Sequence, residues 1–111
     1  MKAIAVMLTR AGVGLAIAPA SITNNAGTQA GFTFAGVTVT GVGGTPSGFT
    51  WACDNPVGSW TVNNGQGTAT ATARVTGAVV GVPSTCNFRC TATIGGVPVS
   101  ATCPLSYTRV S

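Results

Sequence analysis

The chain has 111 residues, the size of one domain, and carries five cations, one acid and no histidine. Charged residues make up 5% of it, against about 25% in ordinary soluble domains, but its many β-branched residues argue against disorder. Because Asp54 is the single acid and histidine is absent, no nucleophile–base or acid–base pair can be assembled, and we expect a protein that is not an enzyme.

The net charge of +4 comes from cations scattered along the chain: Lys2, Arg10, Arg74, Arg89 and Arg109. Domains that bind nucleic acids cluster their basic residues on one face and place aromatic residues among them. We therefore expect no nucleic-acid partner. A surface with so few charges resists association weakly, which favours a homo-oligomer or a larger array.

The first 20 residues, MKAIAVMLTRAGVGLAIAPA, begin with a lysine and an apolar run and end like a signal-peptidase site. Arg10 interrupts the run, and neither half approaches the ~20 apolar residues of a membrane helix, so no membrane span is expected. We predict a first β-strand in residues 2–9 and an N-terminal arm, residues 1–18, that packs on the domain or on a partner. A cleaved leader is the alternative.

From residue 31 onward, apolar and small polar residues alternate, which is the pattern of half-buried β-strands. Phe49, Trp51 and Cys53 fall on one face of such a segment, and we expect Phe49 and Trp51 in the core. Short strands separated by turn sequences, without helices, predict an all-β antiparallel sandwich of about seven strands over residues 19–111. The alternating segments are 31–42, 47–53, 67–80, 86–94 and 99–110.

A tryptophan on a middle strand, then an aromatic-x-Cys strand, then a closing hairpin, resembles the immunoglobulin-like fold. In that resemblance Trp51 takes the place of the core tryptophan of strand C. Phe88 and Cys90 take the places of the Tyr-x-Cys motif on strand F, which makes Phe88 a core residue without the hydroxyl of the tyrosine corner. The expected strand B, near residues 32–40, has no cysteine, so the family's inter-sheet disulfide is missing.

The Gly/Thr/Ala-rich strands are similar to immunoglobulin-like modules of tailed-phage structural proteins and bacterial surface proteins. The similarity lies in GTATATARVTG (67–77), in the CTAT…VSAT hairpin and in the ending YTRVS. It implies a non-enzymatic component of a bacteriophage virion, with a capsid decoration or accessory protein on the particle surface as the leading interpretation. Other capsid or tail proteins would be its partners, and no cofactor is implied.

The alternative function is a tail-associated or secreted immunoglobulin-like module that binds host-surface carbohydrate; a secreted or periplasmic scaffold is a further interpretation. Carbohydrate sites often combine an exposed aromatic ring with amides, and Trp60 with Asn63 and Asn64 is the candidate surface. A second core or interface aromatic is the competing interpretation of Trp60, because tryptophan is highly buried on average.

The four cysteines are Cys53, Cys86, Cys90 and Cys103. They lack the histidine partner of a reactive thiol and the paired C-x2-4-C knuckles of zinc sites, so we expect neither catalysis nor a metal. We interpret them as disulfide staples, with four buried free thiols as the alternative. Cys86 and Cys90 lie about 13 Å apart on a regular strand, beyond the roughly 7 Å that a disulfide spans.

The hairpin that follows decides between the remaining pairings. A four-residue loop over residues 95–98 places Cys90 opposite Cys103, whereas a two-residue Gly95-Gly96 turn places Cys103 opposite Phe88. We favour the longer loop, because it keeps Pro98 out of the ladder. The predicted bonds are Cys90–Cys103 and Cys53–Cys86, and the alternative is Cys53–Cys90 with Cys86–Cys103.

The scarcity of charge also bears on assembly, because the strand edges lack the lysines that usually protect them from pairing. A neighbour's strand can complete such an edge through backbone hydrogen bonds alone. We therefore expect assembly through strand edges and through the arm of residues 1–18. Removal of that arm is expected to abolish particle binding while the sandwich stays folded.

Overall fold

A computed structural model describes residues 5–8 and 12–111, and these residues form an all-β sandwich. The predicted all-β sandwich is confirmed, whereas the immunoglobulin-like topology stays a prediction. The described residues form ten strands rather than about seven, because the N-terminal segment adds a hairpin and residues 34–36 divide one aromatic segment in two. The strands are β1 Ala5–Leu8, β2 Gly14–Ala18, β3 Ile22–Gly27, β4 Phe32–Thr33, β5 Val37–Val42, β6 Ser47–Val57, β7 Ser59–Asn64, β8 Thr70–Thr76, β9 Ser84–Ile94 and β10 Val97–Arg109.

The strands form two packed sheets. The first has the order β3-β10-β9-β6, and the second has the order β1-β2-β5-β8-β4. β4 and β7 both pair with Arg74 and Val75 of β8, so they lie on opposite edges of that strand. The pairing of β3 with β10 is parallel, whereas the other named pairs are antiparallel, so the first sheet is mixed at one edge.

The core lies between the sheets and is filled by every second side chain of the strands, as the alternation predicts. Trp51 on β6 is 2% exposed, and its ring stacks on Phe88 of β9 with the ring centroids 4.8 Å apart. Phe49 is half-buried and packs against the same cluster. Tyr107 on β10 is fully buried, and its hydroxyl donates a hydrogen bond to the carbonyl oxygen of Gln29.

The N-terminal segment is more deeply integrated than an arm. β1 pairs with β2, and β2 in turn pairs with β5. Leu15 and Ile17 on β2 are completely buried in the core. The boundary predicted at residue 18 therefore runs through the sandwich. Of the strand predicted for residues 2–9, β1 covers residues 5–8, and the rest lies outside the described residues.

The hairpin between β9 and β10 corrects one prediction. Gly95 and Gly96 form a two-residue turn with φ of 56° and 79°, and Val97 pairs with Ile94. Two positive φ values match the right-handed twist of a hairpin, and glycine adopts them without strain. The four-residue loop is therefore wrong. Pro98 fits because it follows the pair that closes the turn, a position that does not donate to the partner strand.

Candidate functional site

Four cysteines surround one phenylalanine on the inner face of the first sheet, and we call them the thiol cluster: Cys53, Cys86, Cys90 and Cys103. Phe88 lies opposite Cys53 of β6 on one side and opposite Cys103 of β10 on the other. Cys86 and Cys90 stand two residues before and after Phe88 on β9, so their side chains point the same way. The alternation of each strand places these side chains on one face of the sheet. Which of them are adjacent depends on the register between the strands.

The register places none of the predicted disulfide pairs directly opposite each other: Cys53 lies opposite Phe88 and is therefore diagonal to Cys86 and to Cys90. Cys90 lies opposite Ala101 and Cys103 lies opposite Phe88, so Cys90 and Cys103 are diagonal neighbours. Cys86 lies opposite Leu105 and is likewise diagonal to Cys103. On a regular ladder diagonal Cα atoms are about 7–8 Å apart, beyond the usual reach of a disulfide; the β9–β10 ladder is regular, whereas the β6–β9 ladder shifts register between Asp54 and Val57. All four cysteines are free thiols in this structure, and the predicted pairing stays a prediction.

The thiols fall into two classes. Cys90 and Cys103 are fully buried, and burial raises the pKa of each to about 11. Each thiol donates a long hydrogen bond, 3.9 Å, to the carbonyl oxygen of the next residue. Cys53 is half-buried, and its thiol accepts a hydrogen bond from the Cys86 thiol, which lowers the pKa of Cys53 and raises that of Cys86.

The outward groups beside the cluster are engaged with one another. Arg89 points away from the core, and its Nε donates to Asp54 at 2.5 Å, with both side chains more than a third exposed. The hydrogen bond from Arg89 holds the pKa of the Asp54 carboxyl below its usual value. The Arg89 guanidinium also donates to the hydroxyl of Thr91 at 3.0 Å. Asp54 is thus held by a cation on the face opposite the thiols.

The residues considered for carbohydrate binding do not share a surface. Trp60 is half-buried, packs against the core with its ring 5.4 Å from that of Phe34, and donates through Nε1 to a backbone carbonyl at 3.1 Å. Asn63 is exposed and donates to the hydroxyl of Thr72. Asn64 is exposed and accepts a hydrogen bond from the backbone of the next residue. Trp60 therefore points inward while both amides point outward.

The side chain of Gln66 covers the edge of the first sheet. β6 is an edge strand, and the backbone N–H of Trp51 donates to Gln66 Oε1 at 2.6 Å. In return, Gln66 Nε2 donates to the Trp51 carbonyl at 2.9 Å, while the indole N–H of Trp51 donates to the carbonyl of Thr68 at 2.8 Å. The sequence predicted open strand edges, but the edge of β6 is covered at Trp51. The turn sequence gave no signal for the contact, which depends on the two sheets being packed.

One end of the sandwich exposes five valines, and we call it the valine end: Val57, Val79, Val80, Val82 and Val110, each 49–61% exposed. These residues belong to the end of β6, the connection from β8 to β9 and the segment after β10. The connection is held in place by backbone bonds, because Gly81 donates to the carbonyl of Arg109 at 2.8 Å. No local sequence pattern marks this surface, because its members come from three separate segments of the chain.

The outer face of the first sheet contains a shallow depression of about 220 Å³. Its walls are uncharged, and they include Ser21, Thr23, Asn55, Asn87 and Cys86. Ligand pockets usually combine an apolar enclosure with a few convergent polar or charged groups. This depression offers short polar side chains on an open surface, so we do not assign it a ligand.

No protein-family model, curated protein or solved structure matches this chain. Over residues 5–8 and 12–111, no helix has the length and apolar character needed to cross a membrane. The same residues contain no group of three or more side chains arranged to hold a metal ion. The features that carry functional information are therefore the valine end, the covered edge of β6 and the thiol cluster.

Proposed function

We propose that this chain is a non-enzymatic structural subunit of a bacteriophage virion, an immunoglobulin-like decoration or accessory protein that docks end-on. The observation that carries the proposal is the valine end, where five valines are about half exposed. Large exposed apolar patches are uncommon on monomeric proteins and often mark interaction sites. The partner surface is expected to be apolar and part of a capsid or tail protein.

The valine end is held in shape before any partner binds. Arg109 donates from its guanidinium to the carbonyl of Ala78, and Val82 donates from its backbone to the carbonyl of Val79. Val110 is tied by its backbone to the carbonyl of Gly27 at 2.7 Å. A surface that is already ordered loses little conformational entropy on docking, so more of the burial energy contributes to affinity.

The edge of β6 and the outer face of β8 favour end-on docking over lateral contacts at these two places. At Trp51 the edge of β6 is covered by Gln66, so a neighbouring strand cannot pair there without displacing two hydrogen bonds. The outer face of β8 carries Thr70, Thr72 and Arg74, which are polar and already bonded to neighbouring strands in part. An apolar contact at the valine end needs no such exchange.

The resemblance of the strands to phage structural modules supports the virion as the assembly in which this docking occurs. The four free thiols are compatible with a virion role, because this role needs no catalytic group. The proposal also accounts for the sparse charge, because a subunit held in an array is protected from random association by its neighbours. The carbohydrate-binding alternative loses support, because Trp60 and the two amides point in different directions.

The experiment is to purify particles from a culture that produces the chain and to count its copies per particle by quantitative mass spectrometry. Immunogold labelling in the electron microscope then places it on the capsid or on the tail. We expect a fixed copy number on intact particles. A chain that never sediments with particles would refute the proposal.

A matched pair of variants tests the docking surface. Val79→Asp with Val82→Asp places two charges on the valine end, whereas Thr40→Asp with Thr61→Asp places two charges on exposed side positions. We expect the first pair of substitutions to remove binding to particles that lack the protein, and the second to retain it. Equal binding of both variants would show that the valine end is not the docking surface.

A further inference from the structure

We propose that Cys53 and Cys86 form a thiol–disulfide switch that reversibly ties the edge strand β6 to β9, while Cys90 and Cys103 stay thiols. This inference does not depend on the proposed virion role. It differs from the pairing predicted from sequence, which used all four cysteines in static staples.

Cys53 and Cys86 are diagonal neighbours, and among the diagonal cysteine pairs this is the one beside a bulge. Cys53 lies opposite Phe88, and Cys86 is two residues away on the same face of β9. The β6 strand bulges directly after Asp54, where three steps along β6 match two steps along β9. A bulge bends its strand and increases the local twist, which changes the spacing of diagonal neighbours. The lowered pKa of Cys53 and the raised pKa of Cys86 are each caused mainly by the other thiol, which supports this placement.

The other two thiols are placed differently. Cys90 lies opposite Trp51 and Ala101, and its thiol is directed to the carbonyl of Thr91. Cys103 is directed to the carbonyl of Pro104. Both are completely buried, so an external reagent cannot reach them without opening the core. Cys53 is the member of the thiol cluster that is not fully buried, which makes it the point of entry.

The chemistry requires a low-molecular-weight disulfide such as oxidised glutathione as the oxidant. The Cys53 thiolate attacks one sulfur of that disulfide, forms a mixed disulfide and releases one glutathione thiolate. The Cys86 thiol then loses its proton to solvent and its sulfur attacks Cys53 Sγ, which releases the second glutathione thiolate. Two protein thiols become one disulfide while one molecule of oxidised glutathione becomes two of reduced glutathione. Excess dithiol reverses the reaction.

Trypsin separates the cysteines in a way that makes the test sharp. Cleavage after Arg10, Arg74 and Arg89 leaves Cys53 in peptide 11–74 and Cys86 in peptide 75–89. Cleavage after Arg109 leaves Cys90 and Cys103 together in peptide 90–109. Each pairing therefore joins a different set of peptides.

The full chain is reduced, freed of reductant, incubated folded with excess oxidised glutathione, then denatured with iodoacetamide and digested. We expect peptide 11–74 linked to peptide 75–89, with both cysteines of peptide 90–109 alkylated and the intact protein at monomer mass. Links from peptide 90–109 to either other peptide, a bond within it, a dimer, or four alkylated cysteines would each overturn the proposal.

Single variants test the order of the steps. In Cys86→Ser the reaction should stop at glutathione bound to Cys53, and in Cys53→Ser no glutathione should be retained. The matched control, Cys90→Ala, should still form the link between peptides 11–74 and 75–89. Glutathione retained on Cys86 in the Cys53→Ser protein, with no adduct on Cys53 in the Cys86→Ser protein, would contradict Cys53 as the point of entry.

Discussion

The side-chain amide of Gln66 forms two hydrogen bonds with the backbone of Trp51. A neighbouring strand would otherwise form them. Oε1 accepts from the Trp51 N–H at 2.6 Å, and Nε2 donates to the Trp51 carbonyl at 2.9 Å. Natural sheets usually protect their edges with lysine, proline or bulges. This chain, which has only five cations, uses a neutral amide from a turn for the same purpose.

Replacement of Gln66 by alanine should destabilise the fold and expose the β6 edge. Two net hydrogen bonds of about 0.5–1.5 kcal/mol each are lost, so the free energy of unfolding should fall by about 1–3 kcal/mol. Urea denaturation measures the first effect, and sedimentation velocity measures self-association through the freed edge. The matched control is Gln29→Ala, whose side chain is exposed. Equal stability of the two variants would contradict the role of Gln66.

Gly27 is predicted to be intolerant of a side chain. A Cβ atom at this position would overlap the ring and hydroxyl of Tyr107, which is completely buried and cannot move outward. Overpacking of this kind typically costs about 1–3 kcal/mol, and loss of the Tyr107–Gln29 hydrogen bond would add to it. Thermal unfolding of Gly27→Ala measures the loss. Gly31→Ala is the control, because the nearest atom there is the flexible end of Arg74.

Stability should depend little on pH in the acid range. Acid unfolding comes mainly from carboxylates and histidines, and this chain has one acidic side chain and no histidine. Because Arg89 lowers the pKa of Asp54 in the folded state, its contribution is present above its unfolded pKa and is lost as pH falls through the folded value.

We therefore expect an unfolding midpoint that is flat from neutral pH down to about pH 4 and declines slightly below it. Urea titrations across this range provide the measurement. Asp54→Asn should remove most of the decline. A steep loss of stability between pH 7 and pH 4 would be inconsistent with this account.

In the alkaline range, the free energy of unfolding should fall as the pH rises. Burial raises the pKa of Cys90 and Cys103 from 9.0 to about 11, so the folded state holds these protons more tightly than the unfolded chain. Their contribution is complete below the unfolded pKa and is lost as pH rises from about 9 to about 11. The measurement is the slope of the unfolding free energy against pH, which should be shallower in the double variant Cys90→Ala, Cys103→Ala.

Deletion of residues 1–18 should unfold the protein rather than release an arm. The deletion removes β2 and with it the buried side chains of Leu15 and Ile17, each worth about 2–5 kcal/mol as a truncation to alanine. Circular dichroism and the unfolding transition of the shortened chain test this outcome. Leu15→Ala in the full chain is the milder comparison. A folded, cooperative truncated protein would show that β2 is dispensable, as the sequence analysis expected.

Alternation was sufficient to predict the fold class, because a period of two fixes which side chains can share a buried face. It placed Cys53, Cys86, Phe88 and Cys90 on inward positions without any knowledge of the partner strands. Alternation could not predict which of them are neighbours. That depends on register, and here register depends on whether Gly95 and Gly96 alone make the turn.

Contacts between distant segments were not predictable. The parallel pairing of β3 with β10 joins Ile22 to Leu105, and no local pattern marks strands that pair in this way. The valine end also unites residues from three separate segments of the chain. Gln66 in the turn NNGQG has an unremarkable sequence context, and its role exists only once the turn lies beside β6.

The parallel pairing also has a consequence for the order of events during synthesis. β3 finds its partner in the sheet only when β10 is available, and 83 residues separate Ile22 from Leu105. Contacts of such long separation close slowly, and unpaired strands are exposed to aggregation in the meantime. On the ribosome, β1, β2 and β5 can pair among themselves and β6 can pair with β9, whereas β3 has to wait for β10. The finished fold is therefore expected to form after β10 has left the ribosome, in a late step that joins β3 to β10.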